Sequence, residues 1–552
     1  MIQGKADRLV LGNIVTCDDR GVILKAMTIK DGLVQYVGTE EMARKLCDDK
    51  TIVMDYGDNY IYPGMMDAHT HGNMAGNRLV FQAPLTMEMS LEEIIATMKQ
   101  YMADHPGRSK YVGSGWTFDG VHVPDAKMLD EICPDVPMLL NTLDGHSMWV
   151  NTATMKANGL DTKETMDLYG PGMIRVREDG TASGFISETP ATALVYSILD
   201  VEYDEYKEMM LAWQEFAFSK GLTAVCCAAL MNEKECRFMR RLCDEGVWKL
   251  RTYGVVFMPN SAPDYIACVR KIKELADECN CEYFQITGVK IIIDGVIEAH
   301  TGWLLEEYCD QPGYYGEKLF TDKKRVTELI KEANRLGLLV HCHTVGDGAI
   351  RFVTDCMEAA QTETGIMDPR NAMCHLQCVN PADFKRMGEL NIMAIVPPLW
   401  IPTDGGQFYD TECSWVGPER AYADYPIRSF IDNNVVTSFH TDFPISPVVD
   451  NAQSIYCAVE RNASTFSPRH QRNPYEAITP EQALMCMTRA AAYTFKQEAR
   501  LGILATGMVA NMTVYDRNLI TPERCSLDER KHAAEAKLVA TCVDGVEVFR
   551  GE

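Results

Sequence analysis

The sequence predicts an α/β fold, a barrel of parallel strands with crossover helices, joined to a small β domain built from both ends of the chain. Three observations predict it. Short apolar runs rich in Val and Ile alternate with amphipathic segments through the middle of the chain. Strand–Asp-Gly–strand patterns stand near both ends. The conspicuous polar residues fall at the ends of the apolar runs, where parallel barrel strands deliver side chains to a shared mouth.

Residues 1–58 read as short strands: DRLVLGNIVTCD, then AMTIKDGLVQYVG, whose Asp-Gly marks a hairpin turn. Residues 500–552 repeat the style with NMTVYDR and KLVATCVDGVEVFRG. Chain termini often lie close together, so the two segments are expected to form one composite β-sandwich domain. Residues 59–499 are expected to form the barrel. Its strands are TAVCCA, GVKIIID, LLVHCHTVG, AMCHLQCV, IMAIVPP and VVTSFHTD. DKKRVTELIKEANRLG, PADFKRMGELN and TPEQALMCMTRAAAY supply helices between them. The stretch from about 75 to 220 breaks the alternation and reads as an inserted or elaborated section near the active face. No internal repeat or low-complexity tract interrupts the chain.

Composition narrows the function. Of 552 residues 46% are hydrophobic, which is ample for a packed core. The 53 basic residues face 78 acidic ones, a net charge of −25, and such a surface repels phosphate backbones and anionic membranes. The opening MIQGKADRLVLGN lacks the apolar core of an export signal, and the apolar run LTAVCCAALM is about half of what a membrane helix needs. The 20 cysteines, none in a CxxC, then read as reduced thiols of a cytoplasmic protein. The expected partner is a small-molecule substrate, with no nucleic acid and no membrane. A homo-oligomer is expected on general grounds.

The chemistry rests on five strand ends. His69 and His71 follow IYPGMMDA, and residues i and i+2 of a strand point to one side, so both imidazoles can reach one metal. His343 in VHCHTVGD, His375 in AMCHLQC and Asp442 in SFHTDFP each end an apolar run. Neutral imidazoles with a carboxylate suit Zn²⁺ or a similar ion. Each residue alone is explained as well by core or surface packing; the set is not. Lys290 in TGVKIIIDG has several readings. It could bind an anion as an ammonium, bridge two metals as a carbamate, or pair with Asp294.

These motifs resemble the amidohydrolase superfamily, and within it the YtcJ-like branch that includes N-substituted formamide deformylases. The resemblance runs through PGMMDAHTH, VGSGWTFD, DGHSMWVNTATMKANGL, GTASGFISE, GVKIIIDG, HTVGDGAI, CHLQCV and HTDFPI, in that order, to the closing LGILATGMVANMTVYD. It implies a (β/α)8 TIM-like barrel with a small β-sandwich domain from the N- and C-terminal segments. It implies one or two divalent metal ions, zinc above all. Their ligands would be His69, His71, Lys290 (carboxylated in two-metal members), His343, His375 and Asp442. Asp442 would also move the proton, with His343 or His146 assisting at the carbonyl. Trp116, His146, Trp149 and Asn151 lie in matching motifs. Trp116, His146 and Asn151 are the expected substrate contacts, although packing explains the two tryptophans equally well.

The sequence departs from the family in three places. His440-Thr441 stands where Gly-Ser is usual, Asn511 stands where Asp is usual, and His341 has no family role. The implied activity is hydrolysis of a C–N bond of amide type by metal-activated water. The alternatives are a metal-dependent deaminase of a small heterocycle or a binding protein on the same scaffold. Deaminases on this barrel commonly carry Glu three residues after the strand-5 histidine; here that residue is Gly346.

Overall fold

The computed structural model describes residues 2–19, 21–117, 124–142, 147–170, 172–187, 190–191, 194, 198, 200–402, 407–522 and 525–551. The chain opens with β1 (Arg8–Val15), β2 (Ile23–Lys30), β3 (Leu33–Gly38), β4 (Ile52–Pro63) and β5 (Met65–Thr70). There follow β6 (Gln82–Pro84), β7 (Tyr111–Trp116), β8 (Met138–Thr142), β9 (Ser147–Val150), β10 (Ile174–Val176) and β11 (Ala182–Ser187). Next come β12 (Leu222–Leu230), β13 (Arg251–Phe257), β14 (Phe284–Ile292), β15 (Leu339–Thr344), β16 (Ala372–His375), β17 (Met393–Val396) and β18 (Thr437–Phe439). The chain closes with β19 (Met512–Tyr515), β20 (Leu538–Val543) and β21 (Val546–Arg550).

Both ends of the chain meet in one seven-stranded sheet, ordered β21-β20-β19-β4-β1-β2-β3. Its two Asp-Gly turns sit where the sequence places them. Asp31 and Gly32 join β2 to β3 with φ of 51° and 76°, and Asp544 and Gly545 join β20 to β21 with 51° and 74°. Two successive positive-φ residues give the turn whose twist matches the flanking strands, and Asp-Gly adopts it readily. Val10, Ile14, Met27, Ile61, Met512 and Ala540 fill the core of this domain.

The barrel is an eight-stranded parallel sheet, ordered β5-β12-β13-β14-β15-β16-β17-β18. Hydrogen bonds beyond the first and last strands close it: Asp442 donates its N–H to the His69 carbonyl (3.1 Å) and His71 donates to Phe443 (2.8 Å). Met66, Ala224, Val255, Leu339, Cys374 and Ile395 are buried in its core. The crossover helices obey local rules. Lys323–Arg335 is capped by Asp322, whose side chain accepts from Arg325 N, and it buries Val326, Leu329, Ile330 and Ala333 at helical spacing. It stops at Gly337, whose φ of 78° lets Leu338 bond back to Ala333.

The chain divides into two compact units. One comprises residues 1–71 and 214–552, with the barrel and the terminal sheet; the other is Gly72–Trp213. The second unit has its own mixed six-stranded sheet, ordered β10-β11-β9-β8-β7-β6, and its own core around Val112, Leu139, Met148 and Ile186.

Candidate metal centre

Five barrel strands bring the predicted residues together. On β5, Met66 and Ala68 lie in the barrel core, so simple alternation would turn His69 outward. A β-bulge prevents this. Pairing advances from Val225–Asp67 to Cys227–Thr70, three steps on β5 against two on β12, and the extra residue re-aims the histidines. On β14 and β15, Lys290 lies beside His341 in register, and His343 lies beside Cys374 of β16. His375 and Asp442 leave their strands with φ of 75° and 60°. Left-handed backbone at non-glycine residues costs about 1–3 kcal/mol each and concentrates at functional sites.

The side chains converge on Asp442. Its Oδ1 lies 3.1 Å from His71 Nε2 and 3.3 Å from His69 Nε2, and its Oδ2 lies 4.0 Å from His375 Nδ1. Two donors each about 2.1 Å from one ion sit about 3.0–3.4 Å apart. The ring centroids of His69 lie 5.3 Å from His71 and 5.0 Å from His375, and those of His343 and His375 are 4.5 Å apart. Two groups among the described residues have ligand atoms close enough to share an ion: His69, His71 and Asp442, and His69, Cys374 and His375. Nδ1 of His375 and both nitrogens of His440 are buried without a hydrogen-bond partner among the described residues. Buried polar atoms are normally satisfied, so a lone pair on each of these two rings fits a cation.

Electrostatics prepare the same role. Burial first, and then the Lys290 ammonium, push His69 and His341 well below the ordinary imidazole value and His343 down to about 4. Burial, then neighbouring His343, lowers His375, and burial brings His440 to about 3. These imidazoles are therefore neutral near pH 7, the form that binds metal. Burial raises Asp442, but the His71 hydrogen bond and the surrounding histidines outweigh it and hold the carboxylate well below its usual range.

Three residues organise this set from behind. His341 Nε2 lies 2.8 Å from His69 Nδ1, so one ring nitrogen of His69 is held while Nε2 faces Asp442. Asp67 accepts from Thr441 Oγ1 (2.6 Å) and from His69 N (3.1 Å), linking the loop after β18 to β5. Its burial raises its pKa to about 7. Trp400 stacks on His375 with planes 3° apart and centroids at 5.7 Å. The sequence carries little signal for these roles: Asp67 sits between apolar residues like any strand carboxylate, and Trp400 follows a Pro-Pro that reads as a loop.

Several sequence expectations are corrected. Lys290 does not pair with Asp294. Its Nζ donates to Cys374 Sγ at 3.3 Å, and Asp294 instead accepts the N–H groups of Trp303 (2.9 Å), Val345 (3.0 Å) and Gly346 (2.8 Å). His343 Nε2 faces the Gly295 carbonyl at 3.1 Å, so that N–H is engaged and Nδ1 carries the free lone pair, which suits a ligand better than a carbonyl-assisting donor. Trp116 and Asn151 are fully buried inside the Gly72–Trp213 unit. The Trp116 indole donates to Leu140 O (3.1 Å) and its ring packs on Trp149. Asn151 caps the helix Thr152–Ala157 and satisfies Met138 N, Cys133 O and Val136 O. Both serve packing and capping there. His146 lies outside the described residues.

The amidohydrolase family model matches residues 53–549. The protein LONG AFTER FAR-RED 3 of Arabidopsis thaliana is 26% identical over 99% of this chain and 92% of its own length. The putative amidohydrolase YtcJ of Bacillus subtilis is 24% identical over 94% and 96% of the two chains. An N-substituted formamide deformylase of Arthrobacter pascens is 24% identical over 99% and 98%. Among solved structures, a metal-dependent hydrolase of Pyrococcus furiosus shares the fold with a TM-score of 0.75 at 23% identity, covering 93% of this chain and all of that one.

Proposed function

The chain belongs to the amidohydrolase family, in its YtcJ-like branch, and on that premise we propose that it hydrolyses a C–N bond of amide type in a small molecule, using one or two divalent ions, zinc foremost. The observation that carries the reading is the Asp442 carboxylate set within 3.1–3.3 Å of two imidazole nitrogens, those of His71 and His69.

His69, His71 and Asp442 would hold one ion, and His343 and His375 offer lone pairs to the same centre or to a second one. Lys290 would join them only as a carbamate. A divalent ion there supplies Lewis acidity, making a water acidic enough to deprotonate near neutrality and polarising a carbonyl. Asp442, ionised beside the histidines, would accept a proton from the attacking water and pass it to the leaving nitrogen. His341 fixes the His69 ring, and the Asp67–Thr441 bond fixes the backbone from which Asp442 projects.

One feature favours this reading over deamination. A Cβ at Gly346 would stand 2.1 Å from the Trp303 carbonyl, so no side chain, and no deaminase glutamate, fits there. The test is release of a primary amine from a panel of small N-formyl and N-acyl amides by metal-loaded protein. Turnover that vanishes with chelator and returns with zinc supports the proposal. Ammonia release from heterocycles in place of amide cleavage, or stoichiometric metal with no turnover on the panel, overturns it.

A further inference from the structure

We infer that Cys374 is a metal ligand of this centre, its thiolate supplying the anionic donor that a carboxylated lysine would otherwise provide. The inference rests on the metal-dependent reading above and deepens it. Cys374 is fully buried at the barrel interior, and its ligand atom lies with those of His69 and His375 in one group able to share an ion. Nδ1 of His375 is buried and unpartnered in that same group.

Two local features place the sulfur there. In a regular strand, neighbours 374 and 375 would face opposite sides. The left-handed backbone of His375 (φ 75°) breaks that rule and lets both residues serve one side. The Lys290 amine then donates to the sulfur at 3.3 Å. That contact fixes the position of the sulfur. It also engages the nitrogen that carboxylation would consume. The thiol donates to the Cys342 carbonyl at 3.3 Å. On metal binding the S–H bond breaks, its proton goes to solvent, and the sulfur lone pair passes to the ion. The Lys290 N–H remains as the hydrogen bond that steadies the thiolate. A sulfur donor makes the set softer, which favours Zn²⁺ or Co²⁺ over Mn²⁺ or Mg²⁺.

The test uses the full chain loaded with Co²⁺ in the absence of bicarbonate. A sulfur-to-cobalt charge-transfer band in the near ultraviolet, lost in Cys374→Ser but kept in Lys290→Ala, is the expected result. X-ray absorption at the zinc edge of the unaltered protein stands beside it, so that misfolding of the serine variant leaves the inference open to refutation. It should show one sulfur at about 2.3 Å. Stoichiometric cobalt with only nitrogen and oxygen donors overturns the inference and leaves the hydrolase reading intact. Failure to bind cobalt or zinc at all overturns both.

Discussion

At the scale of single residues, the centre depends on which atoms are left free. Asp442→Asn keeps an oxygen for the metal but loses the proton-accepting charge. We expect it to retain metal and to lose roughly 10²–10⁴-fold in kcat, the range general-base catalysis supplies. Amine release alongside metal content checks this, and a near-normal kcat defeats the assigned role. Five histidines, 69, 341, 343, 375 and 440, sit below the ordinary imidazole value in the folded chain. Unfolded chain therefore takes up their protons first, so the stability they contribute is complete above about pH 6.5 and is lost as pH falls, through about 4 for His343 and about 3 for His440. Asp67 and Asp294, raised to about 7, act oppositely over the same window. Burial raises Asp347, Asp424, Asp450 and Glu298 as well, so the histidine part is read by difference: between pH 6.5 and 4 the Tm of chelator-treated His440→Asn should fall less, or rise more, than that of the unaltered chain, and an identical profile contradicts this. The histidine and aspartate identities were readable because each ends an apolar run. The contact of His341 with His69 was not, because it spans 272 residues.

At the scale of elements, the alternation of apolar runs and amphipathic segments carries the barrel strands, and the two Asp-Gly pairs carry the hairpins. The β5 bulge is silent in the sequence, since nothing in MMDAHT marks an extra residue against β12. Left-handed backbone at His375 and Asp442 is equally silent, because the tertiary bonds that impose it come from other strands. Trp116 and Asn151 show the converse: motif membership drew attention to side chains that cap and pack their own sheet. Asp67 welds the ends of the barrel, and removing it leaves the Thr441 hydroxyl and buried N–H groups without an acceptor. Asp67→Ala should cost about 2–3 kcal/mol in stability, from an unsatisfied-group penalty of about 1–3 kcal/mol. Urea unfolding measures it, and a loss below about 0.5 kcal/mol would show that water replaces the carboxylate.

At the scale of the whole molecule, the candidate ligands all belong to the unit that combines residues 1–71 with 214–552. Zinc at about 100 times its Kd should stabilise that unit by about 2.7 kcal/mol. Amide hydrogen exchange should then slow in β14, β15 and β16, with little change in β7 and β8 of the other unit. Equal slowing in both units contradicts this.

The same architecture sets a schedule for the growing chain. The strand β4 finds its partner β19 only after some 450 further residues have been made. At about 5–20 residues per second its unpaired edge stays open for on the order of a minute on the ribosome. A bare strand edge is a template for pairing with the wrong neighbour. The join that makes one domain of two distant ends is thus also the interval in which a nascent chain most needs a chaperone.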